Sequence, residues 1–290
     1  MTETAAPAAR SAAGTAVLMM AGATLCFTAL DAVLKILATR HGLGMVLFGR
    51  NLAQVLFMLA LVPLLGTGMF RTHHPVRQCI RGALLIGTTG FITLALLALP
   101  MVQTYAITFS TPLMASLIAL AFLGEKPRAI QWGLILFGFS GVLVALRPGT
   151  PDFTWALIYP FLMALCNATF YVLTRFVGRK DAPLTSVFWS AASATVLTGA
   201  ALPFVYEPLP LESLGLLAIA GILGTSAHLL ATGAFRRAPT AVVAPMLYTQ
   251  IVWATLLGFL VFGEVPAAAA MIGAVVVAVS GIGLARVRPA

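Results

Sequence analysis

Charge is scarce in this chain. Only 9% of its 290 residues are Asp, Glu, Lys or Arg, against about 25% in soluble domains. Hydrophobic residues make up 60%, and mean hydropathy is +1.02. That balance excludes a soluble globular domain and points to an integral membrane protein. Cysteine is scarce too. Cys26, Cys79 and Cys166 form no CxxC and no Cys/His metal spacing, so neither a disulfide framework nor a zinc site is expected. No GxxxxGK[ST] phosphate loop occurs, so the chain is not expected to hydrolyse ATP. HExxH, GxSxG and an intramembrane aspartate pair are also absent, which argues against an intramembrane enzyme. No cofactor or metal is expected. Residues 1–14 lack the basic start of a cleaved signal peptide, so the first apolar segment is expected to be retained.

What charge there is falls between apolar stretches. From Gly82 to Gly124 no charged residue occurs at all. As one helix that run would be about 65 Å long, twice the roughly 30 Å hydrocarbon thickness, so it must fold back, and Leu99-Pro100 is the natural turn. Ten spans follow, near 15–38, 43–65, 77–98, 101–123, 128–146, 153–175, 183–204, 213–235, 240–262 and 267–285. The expected fold is an all-α integral membrane protein of ten transmembrane helices. Its parts are a cytoplasmic tail 1–14, a five-helix repeat 15–146, a second repeat 153–285 and a tail 286–290.

The net charge of +9 could suggest nucleic acid, but no basic stripe lies on a soluble domain. Topology explains it better. With the N-terminus inside, thirteen basic residues face the cytoplasm: Arg10, Arg71, Arg77, Arg81, Lys126, Arg128, Arg175, Arg179, Lys180, Arg236, Arg237, Arg286 and Arg288. Lys35, Arg40 and Arg147 fall outside, and Arg50 lies within a span. Such a bias in short loops predicts both termini in the cytoplasm of a multi-pass protein of the cell inner membrane.

The two halves repeat. Leu25-Cys26 recurs as Leu165-Cys166, Lys35 as Arg175, Phe48 as Phe188, Pro63 as Pro203 and Gly87-Thr88 as Gly224-Thr225. Glu125-x-Pro127 recurs as Glu264-x-Pro266, and Ser140-Gly141 as Ser280-Gly281. The offsets stay between 137 and 140. Five spans is an odd number, so the second copy must enter the membrane from the opposite side. Inverted repeats of this kind recur among secondary transporters. One departure is visible: Pro112 of span 4 has no counterpart at the matching place in span 9, which carries Pro245 earlier. The two halves are therefore expected to bend differently.

Phe48-Gly49-Arg50 near the start of span 2, and Gly-Glu-x-Pro closing spans 4 and 9, resemble the drug/metabolite transporter superfamily. The resemblance is to its ten-helix EamA-type family and covers essentially the whole chain. Within that family the YddG-like amino-acid exporters are similar in length and layout. The resemblance implies export or exchange of small metabolites, commonly amino acids, across a bacterial inner membrane.

Ionisable groups inside spans are functional candidates by default. Asp31 and Lys35 share a helix face, four residues apart, and can pair. With Arg50 they form a candidate outer gate, coupling site or carboxylate recognition point. Asp31 is the only carboxylate inside a span, so it leads as a proton-coupling group, with His228 second. The substrate-binding candidates are Phe27, Thr88, Phe91, Asn167, Tyr171, His228, Tyr248, Gln250 and Trp253. The polar members can equally be interhelical glue, and the rings ordinary packing. Glu125 and Glu264 read as scaffold: a Gly ends the helix, and the Glu meets the N-terminus of the following one. Small residues in spans 5 and 10 permit close helix approach, either within the bundle or in a homodimer.

The expected function is secondary transport by alternating access, exporting a small molecule, an aromatic or other neutral amino acid first. Another small metabolite or drug, or a non-transporting channel or partner protein, is the alternative. Its surroundings are the lipid bilayer; no nucleic-acid partner is expected.

Overall fold

The protein was analysed as a computed structural model. It describes residues 5–111, 113–115, 117–118, 129–147, 154–177, 180–237 and 243–286. Among these every regular element is helical. The principal helices are α1 Ala5–Arg40, α2 Leu43–Ala60, α3 Pro75–Ala98, α4 Met101–Thr108 and α5 Ala129–Leu146. The second half continues with α6 Ile158–Val177, α7 Pro183–Gly199, α8 Leu211–Arg237, α9 Gln250–Phe262 and α10 Ala268–Arg286. Six of them, α1, α2, α3, α5, α6 and α8, are long and apolar enough to cross a bilayer. Helix α1 starts at Ala5, well inside the segment expected to be a tail.

Local sequence sets the ends. Pro75 and Pro183 open α3 and α7, where a missing N–H costs nothing. Leu99 is extended, as the residue before a proline must be, and gives the fold-back turn after α3. Gly263 closes α9 with φ +66, a left-handed value that a side chain would strain. Large apolar side chains such as Leu18, Leu136, Val196 and Phe259 point outward, as lipid-facing residues do.

The halves pack by exchange. Helix α1 lies on α8, and α6 on α3; α2 lies on α8, and α7 on α3. The pairs α2–α7, α4–α9 and α5–α10 map onto themselves. Glycines fix this register. A Cβ at Gly221 would sit 2.6 Å from the Ala53 carbonyl carbon, and one at Gly82 2.5 Å from the Ser193 Cβ. Positions 53 and 193 match at the repeat offset, so Gly82 and Gly221 are partners. The spatial offset of α3 and α8 is therefore 139. That corrects the sequence match of Gly87 with Gly224, which misplaces these helices by two residues. The partner of His228 is Thr89, not Phe91.

Helices α5 and α10 meet through their small residues. A Cβ at Gly141 would lie 2.7 Å from the Val276 Cβ, and one at Gly273 2.5 Å from the Gly141 carbonyl oxygen. The Ser280 hydroxyl donates to the Leu134 carbonyl at 2.6 Å. Of the two uses open to these glycines, close packing inside the bundle is the one seen.

Both halves break a helix at the same place. Helix α4 ends at Thr108, with Phe109 as its cap, just before Pro112. Residues Ala244–Thr249 are 3₁₀-helical and precede α9. Phe109 and Tyr248, one at each break, touch edge to face with centroids 5.1 Å apart. Pro112 itself lies outside the described residues; the breaks at Phe109 and Tyr248 coincide in the repeat.

Candidate substrate chamber

The breaks matter because a helix interrupted at membrane depth frees backbone groups and makes room between helices. Around them α1, α4, α8 and α9 bring polar and aromatic side chains together. The Tyr105 hydroxyl donates to Asp31 Oδ2 at 2.6 Å, joining α4 to α1. Phe27 meets the His228 ring at 5.1 Å, joining α1 to α8. Trp253 Nε1 donates to the Thr24 hydroxyl at 3.2 Å, and that hydroxyl shares a 2.7 Å hydrogen bond with Thr249. Tyr105 and Phe109 lie 6.3 Å apart, completing a ring path from Asp31 to Tyr248. Phe27, Asp31, His228, Tyr248 and Trp253 are each partly accessible despite their mid-span positions.

Arg50 approaches this group from α2. It is 2% exposed and lies within electrostatic reach of Asp31. Its Nη1 donates to Asn51 Oδ1 at 2.7 Å, and Asn51 Nδ2 donates to the Leu47 carbonyl at 2.8 Å. Gln54, one turn further, faces Gly224 of α8, where a Cβ would sit 3.3 Å from its Oε1 and 3.6 Å from Arg50 Nη2. Arg50 Nε, both Gln54 amide atoms and the Thr225 hydroxyl are buried without a hydrogen-bond partner among the described residues. Buried polar groups left unpaired call for water or a ligand.

Other candidates lie apart. Thr88 and Phe91 are on α3, and Asn167 and Tyr171 on α6, where Asn167 hydrogen-bonds the Tyr171 hydroxyl. Gly87 of this pair faces Cys166, where a Cβ would be 2.9 Å from its Sγ. These four stand in the repeat-related pair α3–α6, and no hydrogen bond or ring contact joins them to the Asp31 group among the described residues. Gln250 opens α9, partly buried, next to Thr249.

The expected Asp31–Lys35 pair is not formed. Lys35 pairs instead with Glu264 and lies over the Phe262 ring at 4.4 Å. Glu264 also accepts from the Met101 amide at 2.7 Å, the first N–H of α4. So Glu264 does meet a helix N-terminus, but that of α4 rather than of the following helix. It ties α1, α4 and the end of α9 together at the end charge counting places outside. Glu125, the counterpart of Glu264, and the side chain of Arg175, the counterpart of Lys35, lie outside what is described.

Two polar clusters tie the halves at opposite ends of α2. At one, His41 Nδ1 contacts Glu207 Oε1 and Nε2 contacts Ser213 Oγ, both at 2.7 Å. At the other, Asp181 accepts from the Thr72 hydroxyl at 2.5 Å, the His73 amide at 2.8 Å and Gln78 Nε2 at 2.9 Å. Burial alone would push the Asp181 carboxyl up. The hydrogen bonds from Thr72, the His73 amide, Gln78 and the His73 ring outweigh it and hold the group well below the usual carboxylate range. His41 and Asp181 occupy the same position of the repeat.

Sequence reasoning missed Tyr105, Gln54 and Thr24. Tyr105 had a signal: a buried carboxylate needs a donor, and Tyr105 is the only tyrosine in the first half of the chain. Gln54 and Thr24 had none, since hydroxyls and amides often serve as interhelical glue.

A bundle whose halves pack by exchange, with broken helices and charged groups inside apolar segments, is the architecture of a membrane transporter. The chain belongs to the EamA-like transporter family, which it matches over residues 14–147 and again over 154–286. That family lies within the drug/metabolite transporter superfamily. It is 30% identical to a riboflavin transporter of Rhizobium johnstonii, over 77% of this chain and 74% of that one. It is 29% identical to an S-adenosylmethionine uptake transporter of Rickettsia bellii, over 85% of each chain. A pseudopaline exporter of Pseudomonas aeruginosa is 25% identical over 94% of this chain and 96% of its own. A crystal structure superposes with a TM-score of 0.56 over 97% of both chains at 21% identity, which shows a common fold.

Proposed function

We propose that the protein moves a small metabolite across the bacterial inner membrane by alternating access, in the export direction, with an aromatic or other neutral amino acid as the first substrate to test. Ten spans in two inverted repeats, with both termini in the cytoplasm, are part of this reading. The observation that carries it is the Asp31–Tyr105 contact beside Arg50, set among Phe27, His228, Tyr248 and Trp253. Asp31 and Arg50 offer one charge of each sign, which suits an ammonium and a carboxylate. The rings suit a flat apolar side chain. Asp31 is the group we assign to proton coupling, because it is a carboxylate at membrane depth held by a phenol that can follow its protonation. Lys35, tied to Glu264, belongs to the outer closure rather than to the chamber.

A second reading rests on the relatives. Riboflavin and S-adenosylmethionine both carry a flat fused heteroaromatic ring, so a larger heteroaromatic metabolite fits the same rings. Purified protein in proteoliposomes decides between them. Phenylalanine, tyrosine, tryptophan, S-adenosylmethionine and riboflavin are offered with and without a pH gradient. Saturable flux of an amino acid, lost in Asp31→Asn, upholds the first reading. Flux confined to the last two upholds the second, and flux of none of the five overturns both.

A further inference from the structure

Asp31 and Lys35 stand one turn apart on α1, and each takes hold of α4. Asp31 Oδ2 accepts from the Tyr105 hydroxyl at 2.6 Å. Lys35 pairs with Glu264 Oε1, and Glu264 Oε2 accepts from the Met101 amide at 2.7 Å. Met101 and Tyr105 are themselves one turn apart on α4, so the two helices meet at two rungs. The rungs are not independent, because both begin on the same face of α1.

One ammonium here has two carboxylates within its reach. Residues four apart on a helix place their Cβ atoms about 5–6 Å apart, and an acid N-terminal to a lysine is the favourable order. Long helical side chains lean back toward the helix N-terminus, which carries the Lys35 stem toward Asp31. Its flexible four-carbon stem lets the same ammonium turn to either acid. In this structure it sits with Glu264, over the Phe262 ring at 4.4 Å. Asp31 keeps the Tyr105 hydroxyl on Oδ2, while Oδ1 accepts from none of the described residues. Arg50 of α2 lies within electrostatic reach of Asp31 but donates to Asn51. His228 of α8 meets Phe27, one turn before Asp31. Asp31 is partly accessible, so a second donor can reach it.

We infer that Lys35 is shared between the two carboxylates, so that loading Asp31 with a proton or a solute's ammonium strengthens the Lys35–Glu264 tie, and an empty, ionised Asp31 weakens it. The inference rests on the reading of Asp31 as the coupling group and adds the residue that carries its state elsewhere. A neutralised Asp31 has no charge to offer Lys35, so the ammonium stays on Glu264 and holds that side chain at the N-terminus of α4. An ionised Asp31 draws the ammonium back one turn and leaves Glu264 with the Met101 amide alone. Lys35 is thus a positioning residue for α4. The competition exists once in the chain, because Tyr171 stands at the matching position of the second half and is no carboxylate.

A three-way mutant cycle tests this without any solute, read as melting temperatures of the purified full-length protein in detergent. Glu264→Gln keeps an acceptor for Met101 and removes the charge. In the wild-type background it should lower the melting temperature by about 2–4 °C, because Lys35 falls back on Asp31. In an Asp31→Asn background Lys35 has no second carboxylate, and the same substitution should cost about twice that shift or more. With Lys35→Met in place, the difference between the two backgrounds should vanish. Equal shifts in both backgrounds overturn the inference, since an independent structural tie gives additive losses. A difference that survives Lys35→Met also overturns it, because the coupling then runs through α4 and not through the ammonium. Asp31→Ser takes the place of Asp31→Asn if the latter does not fold. The flux assay of Asp31→Asn judges the coupling reading separately, so a wrong substrate leaves these melts untouched.

Discussion

Helix pairs α1–α8 and α6–α3 share one packing frame and differ in chemistry. Each pair is braced alike from a third helix: α2 crosses α8 at Gly221 through Ala53 and Gln54, and α7 crosses α3 at Gly82 through Ser193 and Ala194. Yet Asp31 stands where α6 has Tyr171, Phe27 where it has Asn167, and His228 where α3 has Thr89. Tyr171 is 49% exposed and bonds only locally to Asn167, whereas Asp31 reaches across to another helix. The frame is duplicated, as the proposed motion between two states would need matched packing. The charge is not duplicated, because each ionised group at membrane depth costs free energy and one suffices.

The sharpest way to break that comparison is to remove the charge on one side and its counterpart on the other. Asp31→Asn is expected to lower proteoliposome flux by about tenfold or more while the protein still elutes as a folded species. Tyr171→Phe should cost less than about threefold. Equal losses would show that both pairs carry the chemistry.

Gly281 tests the axis between the halves. A Cβ there would overlap the Tyr248 hydroxyl. Gly281→Ala should push Tyr248 off Phe109 and destabilise by about 1–3 kcal/mol, with flux falling several-fold. A melt in detergent and a flux assay read both, and an unchanged melt would mean that the ring sits elsewhere.

The end clusters give the next smaller effect. Asp181→Asn leaves donors facing an amide, and should cost about 1–3 kcal/mol. The pH dependence has a definite sign. A carboxyl held low contributes stability that is fully present above the ordinary value of about 3.9 and is lost as pH falls through its depressed folded value. Asp181 therefore gives a melting temperature that is flat from pH 8 to pH 5, by about a degree or so. The Asp181→Asn variant should be lowered evenly across that range. A loss appearing only near pH 6 would contradict this assignment.

The smallest effect is a gain. A Cβ at Gly215 of α8 meets nothing within 4 Å. Gly215→Ala should stabilise by about 0.5–1 kcal/mol and leave flux unchanged. Loss of flux there would place a partner or the substrate on that face.

Much of the frame was legible in the sequence. The charge-free runs and the Leu99-Pro100 turn located the ends of α3 and α5 to within a few residues, because hydrophobic length and the turn chemistry of proline act locally. The repeat announced the two halves and the family. The site was only half legible. Asp31, Arg50 and His228 stood out because ionisable residues are rare at membrane depth. Their partners did not, since Tyr105 and Gln54 are ordinary residue types whose meaning depends on what faces them. The pairing of Lys35 with Asp31 followed from helical spacing, and spacing cannot see that Glu264 arrives from a distant turn.

The sequence by itself determined that this is a helical membrane transporter of the EamA-like family built from two copies of one unit. Apolar length, charge placement and a steady repeat are all read along the chain, and they leave little freedom. Only the tertiary structure decided the true register of α3 against α8 and the company of Asp31 and Lys35. Those depend on contacts between residues more than a hundred positions apart. Packing energies there are set by side chains meeting across helices, which no local pattern encodes.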